Sequence, residues 1–353
     1  MPQLCDSLVG CILGTAVGDS IGLPYEGLSK RRARKLFGAP DRHRLVFRRG
    51  MVSDDTEQTC LVAQSLIECW GDVEKFQWRL LARLRRWLLT VPAGVGFATL
   101  RAILKSLVGF PPNRCGVFSA GNGAAMRSAI LGAAIDDHAR LFKMVELSCM
   151  MTHTDPKALY GALAVALAAN LAKRESPVEP NEYATALRYF LPRSSADEFL
   201  ELIEQVVQSA EQGESTEVFA LGASMGQGIS GYVYQTVPVA IHAWLRNQVN
   251  FRDAVMTVVQ CGGDTDTTAA IVGGIVGGHV GKGGIPQEWL GNLLEWPRTA
   301  SWMEGLANQL AGVVERNQSE RPISVPVAGV LARNVVFLAI VLIHGLRRLL
   351  PPY

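Results

Sequence analysis

The sequence predicts an all-α protein, a single-domain orthogonal bundle of many helices. Three observations lead there. No series of alternating apolar and polar residues marks out strands. Several apolar, small-residue stretches begin on turns rich in Asp, Ser and Thr, the residues whose oxygens satisfy the free N–H groups of a helix start. Apolar residues make up 48% of the 353 and charged residues 19%, enough to bury a large core.

In chain order, Leu8 to Ile21 reads as a buried helix whose Gly10, Gly14 and Gly18 allow close packing, ending near Asp19 and the loop acid Glu26. The basic cluster from Lys30 to Arg49 reads as a solvated, flexible face, or as a positive rim that attracts a polyanionic substrate. Ser53-Asp54-Asp55-Thr56-Glu57 opens a helix with a 3.6-residue apolar stripe behind it, and Asp54 with Glu57 fits a variant capping box. Helices follow from Phe76 to Leu89, from Leu100, from Asp137 to Met151 and, after the Asp155-Pro156 start, from Lys157 to Lys173. Two amphipathic helices, about 183–190 and 195–211, precede a Gly/Ser-rich stretch from Gly222 to Gly231. A helix to Asn247, a short one from Arg252 to Gln260, a small-residue helix after Cys261 and one from Thr299 to Glu315 complete the body.

We place residues 1–316 in one domain and residues 317–353 in a polar linker followed by an apolar helix. The unbroken apolar run Val335 to Ile343 is too short to span a bilayer, which takes roughly 20 residues. It is expected to dock on the body or a partner, with contact to a membrane surface, anchored by Arg347 and Arg348, as the alternative.

A net charge of +2 and 7% aromatic residues argue against a nucleic-acid partner. Seven scattered cysteines with no C-x-x-C pair read as reduced thiols. With no basic leader and apolar signal core at the N-terminus, a cytoplasmic protein is expected, with peripheral membrane association through the tail as the variant.

The densest chemistry lies in Cys261-Gly262-Gly263-Asp264-Thr265-Asp266-Thr267-Thr268. One helix cap needs a single side-chain oxygen, and this turn offers several. The surplus, repeated at Ser53-Asp54-Asp55, suits a hard cation such as Mg²⁺. Taken one at a time, each turn is also an ordinary capped helix. The Gly-rich turns Gly94-Val95-Gly96 and Ser119-Ala120-Gly121-Asn122-Gly123 allow an anion to approach backbone N–H groups, or are simply close-packed loops. His153, in Thr152-His153-Thr154, is on its own an ordinary core or capping histidine.

Taken in order, Gly18-Asp19 with Pro24-Tyr25-Glu26-Gly27, Ser53-Asp54-Asp55-Thr56, Gly121-Asn122-Gly123 through Met126-Arg127, Thr152-His153-Thr154 and Gly263-Asp264-Thr265-Asp266-Thr267 resemble the ADP-ribosylglycohydrolase family over about residues 5–315. The tail after Pro322 lies outside that pattern. The resemblance implies an all-α fold with two Mg²⁺ or Mn²⁺ ions in a cleft. It implies that Ser53, Asp54, Asp55 and Asp266 hold one ion, and that Glu26, Asp264, Asp266 and Thr267 hold the other, with Asp266 between them. Ser119, Gly121, Asn122 and Gly123 would line a diphosphate loop, His153 would lie near the ribose and phosphates, and Gly94 and Gly96 would border the ligand.

The implied reaction is hydrolysis of the bond between ADP-ribose and an acceptor, a protein side chain such as arginine or serine or a small molecule. Glu26 is the first candidate for the catalytic carboxylate and Asp55 the second, because an oxocarbenium-like centre calls for a carboxylate beside it. A non-catalytic ADP-ribose-binding or structural protein on the same fold, and a two-metal nucleotide phosphohydrolase, are the rival readings.

Overall fold

Helix α1 (Leu4–Gly22) carries small or apolar side chains on every face, so it can be stable only inside the protein, and residues 7–22 are all buried. Its Gly10, Gly14, Gly18 and Gly22 stand four apart and therefore share one face. Against that face runs the helix Thr265–Gly284, antiparallel, in contact so close that side chains have no room. A methyl group on Gly14 would lie 2.2 Å from the carbonyl oxygen of Gly273, and one on Gly18 would lie 2.0 Å from that of Ala269. At the far end Gly22 meets Thr265 and Asp266 in the same way. The computed structural model describes residues 4–191, 195–224 and 228–349.

The remaining helices wrap this pair. The first half supplies α2 (Lys30–Phe37), α3 (Asp54–Glu68), α4 (Val73–Leu88), α5 (Phe97–Leu107), the single turn α6 (Pro112–Cys115), α7 (Ala129–Ala134), α8 (His138–Met150) and α9 (Pro156–Ala172). The second half supplies α10 (Pro180–Phe190), α11 (Asp197–Glu211), α12 (Thr216–Ser224), α13 (Val233–Arg246), α14 (Phe251–Cys261), α15 (Thr265–Gly284), α16 (Gln287–Gly291), α17 (Ala300–Arg316) and α18 (Val327–Leu349). Among the described residues there is no strand, only isolated bridges between loops. The fold is all-α, and all seven cysteines are free thiols.

Three expectations are corrected. The first 8 residues of the basic segment expected to be a flexible face form the helix α2, held down by buried Ala33 and Phe37 while Arg31, Arg34 and Lys35 are exposed. The Gly/Ser-rich stretch is not all loop: its first residues, up to Ser224, end the helix α12, while residues 225–227 lie outside the described residues. The short apolar run near the C-terminus is the middle of a 23-residue helix, α18.

Arg333 and Asn334, which interrupt the apolar pattern of α18, turn inward. Arg333 Nη2 donates to Glu295 Oε2 at 2.8 Å and to the Val52 carbonyl at 2.6 Å, while Asn334 Nδ2 donates to the Thr90 carbonyl at 2.9 Å. Arg298 pairs with Glu57 at 2.6 Å in the same buried cluster. The tail helix therefore docks on the body. Both α1 and α18 are long and apolar enough to cross a membrane by length and composition, but 83% of the apolar window of α1 is buried, against 28% of that of α18.

The glycine contact yields a direct test. Gly14→Ala should cost at least about 2 kcal/mol, because an overpacked site with backbone on the other side cannot yield. Urea unfolding measures it, and a loss below about 0.5 kcal/mol, the level of an ordinary surface change, would show that the two helices do not touch here.

Candidate active site

The glycine pair brings the end of α1 to the start of α15, and the loops between them are stitched by backbone bonds. Gly27 N–H donates to the Gly263 carbonyl at 2.7 Å and Gly263 N–H donates back to Leu28 at 3.1 Å. Asp264 N–H reaches Ile229 at 2.7 Å, and Asn122 N–H reaches Gly231 at 3.0 Å. Gly262 and Gly263 adopt φ of 77° and 87°, the left-handed region that favours glycine. A side chain on Gly263 would also strike Ile229, at 1.9 Å from its carbonyl oxygen.

Helix α3 is tied to the same centre by Asp19, which lies on α1 and is fully buried. Its carboxylate accepts the Ser53 N–H at 2.9 Å, the Thr56 N–H at 3.2 Å and the Thr56 hydroxyl at 2.5 Å. Burial raises its pKa to about 7 in spite of those bonds. The starts of α3, α5 and α15 and the end of α1 thus enclose one cleft of about 840 Å³, within the usual size of a small-molecule site. Glu26, Ser53, Asp54, Asp264, Asp266 and Thr267 line it, as do Ser119, Gly121, Asn122, Gly123, His153, Gly94 and Gly96. Asp55 sits directly behind, its Oδ2 accepting from Ser53 Oγ at 2.9 Å and from Thr267 Oγ1 at 3.3 Å.

The acids are not there as helix caps. Asp264 occupies the N-cap of α15 yet makes no capping bond, and its Oδ2 instead accepts Asn122 Nδ2 at 2.6 Å. At α3 the cap is Ser53, which accepts the Asp55 N–H. The expected capping box fails, because Glu57 turns away to Trp87 Nε1 (2.6 Å) and Arg298.

Burial, followed by repulsion from neighbouring acids, raises Asp54, Asp55 and Asp266 well above the carboxylate range. Glu26 stands at the exposed edge, raised by its dehydrated surroundings and by Asp264. Asp55 Oδ1 and Asp266 Oδ1 are buried with no hydrogen-bond partner. Oxygen-only donors, crowded charge and orphaned carboxylate oxygens fit hard divalent cations. Among the described residues, no three Asp, Glu, His or Cys side chains are arranged so that they could hold a metal ion by themselves. The Ser53 and Thr267 hydroxyls, water and substrate oxygens would have to complete any shell.

On the opposite wall, Gly121 and Gly123 leave room for His153. A methyl on Gly123 would lie 3.0 Å from its Cε1, and one on Gly121 would lie 3.4 Å from its Nε2. Burial and then the nearby Arg127 lower the His153 pKa to about 3, so the ring is neutral at ordinary pH. Gly94, at φ of 82°, borders Asp54, and Gly96 caps α5.

Some contributors were not expected from sequence. Arg127 is fully buried and donates to the Gly123 carbonyl (2.9 Å), Gln58 Oε1 (2.7 Å), the Ser148 carbonyl (2.8 Å) and Thr152 Oγ1 (2.7 Å). It fixes the glycine loop to α3, where Gln58 in turn donates to Asp54 at 3.0 Å. Phe337 and Val341 of α18 close the wall beside Leu23. Asp19, Gln58 and Arg127 lie in or beside the sequence motifs, but nothing in their spacing shows whom they hold.

Residues 1–320 match the ADP-ribosylglycohydrolase family, and the chain belongs to it. An uncharacterized protein of Archaeoglobus fulgidus is 33% identical over 309 residues, 85% of this chain and 94% of its own. The ADP-ribosyl-[dinitrogen reductase] glycohydrolase of Rhodospirillum rubrum is 27% identical over 301 residues, 83% of this chain and 92% of its own. Among solved structures, an ADP-ribosylglycohydrolase-related protein complex contains a chain that superposes with a TM-score of 0.68 at 28% identity. The match covers 89% of this chain and all of that one.

Acids held at raised pKa release protons when a cation binds, so binding weakens as pH falls. Mg²⁺ or Mn²⁺ should therefore raise the melting temperature, and the gain should grow as pH rises from about 5.5 to about 8, because Asp54, Asp55 and Asp266 hold their protons well above the usual carboxylate value. The buried His153 and His242, with lowered pKa, contribute stability that is lost as pH falls below about 6.5, but they do so with and without metal. Differential scanning fluorimetry at matched pH isolates the metal term. A gain that is flat or falls with pH would contradict the acid site.

Proposed function

We propose that this protein hydrolyses the glycosidic bond between ADP-ribose and an acceptor, using two divalent ions held in the cleft. Hydrolysis of ADP-ribosyl groups follows from family membership. The observation that carries the finer reading is that an all-oxygen acid wall, with buried orphan oxygens, faces a glycine-lined anion wall across one cleft.

Ser53, Asp54, Asp55 and Asp266 would hold one ion, and Glu26, Asp264, Asp266 and Thr267 the other. When bound, such ions orient the ribose hydroxyls and acidify water. The chain's own groups supply the rest. The turn at Gly121–Gly123 admits the diphosphate close to backbone, with Ser119 beside it and neutral His153 behind it adding no charge of its own. Water adds to the ribose carbon as the bond to the acceptor breaks, and the acceptor leaves carrying a proton. Glu26 is the better placed carboxylate to take the proton from that water. It stands at the exposed edge of the cleft, whereas Asp55 is 1% exposed and held by two hydroxyls.

The deciding experiment incubates the protein with arginine- and serine-ADP-ribosylated peptides, with Mg²⁺ or with EDTA, and identifies products by mass spectrometry. Free ADP-ribose released only with metal supports the proposal and names the linkage. AMP or inorganic phosphate would assign a phosphohydrolase instead. ADP-ribose bound but never released would leave a binding protein.

Two substitutions separate the roles. Asp266→Ala should abolish turnover together with the metal-dependent rise in melting temperature, and substantial residual turnover would show that Asp266 does not hold both ions. Glu26→Ala should still bind ADP-ribose, by calorimetry, while turnover falls at least about a hundredfold, the scale of a lost general base. If binding disappears along with turnover, Glu26 has a structural role.

A further inference from the structure

Helix α18 lies beyond the family match, which ends at residue 320, and its two faces differ in kind. The polar anchors of the helix point to the body: Arg333 to Glu295, Asn334 to Thr90, His344 Nε2 to the Pro24 carbonyl at 3.1 Å, and Arg348 to the carbonyls of Leu23, Pro24 and Glu26. The outer face, from Val327 to Leu346, shows solvent only apolar side chains. Leu331, Val335, Leu338, Leu342, Ile343 and Leu346 are between 37% and 67% exposed. An outward helix face of a globular protein is normally polar, and an unbroken apolar one marks a surface for something else.

The surroundings show what that is. At the C-terminal end of α18 the outer face runs into a groove shared with Phe47, Arg44, Arg48 and Arg347. Phe47 is 98% exposed at the tip of a loop whose Phe47 and Arg48 both take positive φ, 45° and 66°. Next to it, α2 supplies Arg31, Arg34 and Lys35 on its exposed side and contains no acid. Arg32 of α2 donates to the Arg348 carbonyl, so the basic helix and the apolar helix are in direct contact. An apolar strip flanked by arginines and an outward aromatic ring is complementary to one surface, a lipid bilayer with anionic headgroups.

We propose that the outer face of α18 lies in the plane of an anionic membrane, with Phe47 beside it and the cations of α2, Arg48 and Arg347 on the headgroups. The helix is long enough to span a bilayer. To do so it would have to withdraw Arg333, Asn334 and His344 from their buried partners, whereas lying flat keeps each of those bonds. The cleft stays formed, because Phe337 and Val341 belong to the inner side.

The test uses the full chain with extruded vesicles of phosphatidylcholine, with and without phosphatidylglycerol, in a co-sedimentation assay. Binding should be about tenfold stronger with phosphatidylglycerol and should fall in high salt, as expected for several cations on an anionic surface. The double substitution Leu342→Glu with Ile343→Glu should abolish it while leaving the melting temperature unchanged, since neither side chain is a core residue. Arg31→Ala with Arg34→Ala should weaken it several-fold without touching the apolar strip. No binding to either vesicle would overturn the proposal, as would binding that survives the double Glu substitution. A dimer in light scattering that this substitution disperses, without vesicle binding, would also overturn it and would assign the face to a second copy of the chain.

Discussion

The contact on which the rest depends is the antiparallel pairing of α1 with α15, backbone against backbone. Helices that carry ordinary side chains stand about 8–10 Å apart. Here Gly10, Gly14 and Gly18 meet Gly273, Gly277 and the Ala269 carbonyl with no space for a β-carbon. Such proximity allows weak Cα–H to carbonyl contacts along the seam, but its main effect is geometric. It sets Gly22 on Thr265 and Asp266, so that Glu26 and the acids at the start of α15 reach one point. Asp19, on α1, then positions the start of α3 through Ser53 and Thr56. One glycine seam therefore fixes three of the cleft's edges.

Much of the site could be read from the sequence, because its residues come in short local runs. Ser53-Asp54-Asp55 and Asp264-Thr265-Asp266-Thr267 each hold more oxygen ligands than a helix cap uses, and that surplus is visible without coordinates. Roles that depend on distant partners were not visible. Glu57 sits three residues after Asp54, which is the spacing of a capping box. Its actual partners, Trp87 and Arg298, are 30 and 241 residues away. Arg127 closes a motif, yet its work is to bind Gly123, Gln58 and Thr152 across three elements. In the tail, Arg333 and Asn334 interrupt an apolar run, and a sequence does not state that polar residues on the inner face have acids and carbonyls waiting for them.

The fold's own cations are kept away from the acids of the cleft. Arg298 and Arg333 are buried, but Glu57 and Glu295 neutralise them in a separate cluster beneath α3. Arg127 is also buried and still charged, its pKa lowered only to about 10, and it is surrounded by carbonyl, amide and hydroxyl oxygens rather than carboxylates. Arg348 comes nearest to Glu26 yet donates to the carbonyls of Leu23, Pro24 and Glu26. A protein whose only aim was stability would pair these charges, because an unpaired buried carboxylate is costly and removing the repulsion is easy. Asp54, Asp55 and Asp266 are left without an internal cation and their pKa is raised by burial and mutual repulsion; under the proposed function a cation from outside would draw off their protons and take that place. Arg127 and Arg348, the cations beside the cleft, donate instead to backbone carbonyls, so their charge holds the frame around the acid wall rather than the wall itself.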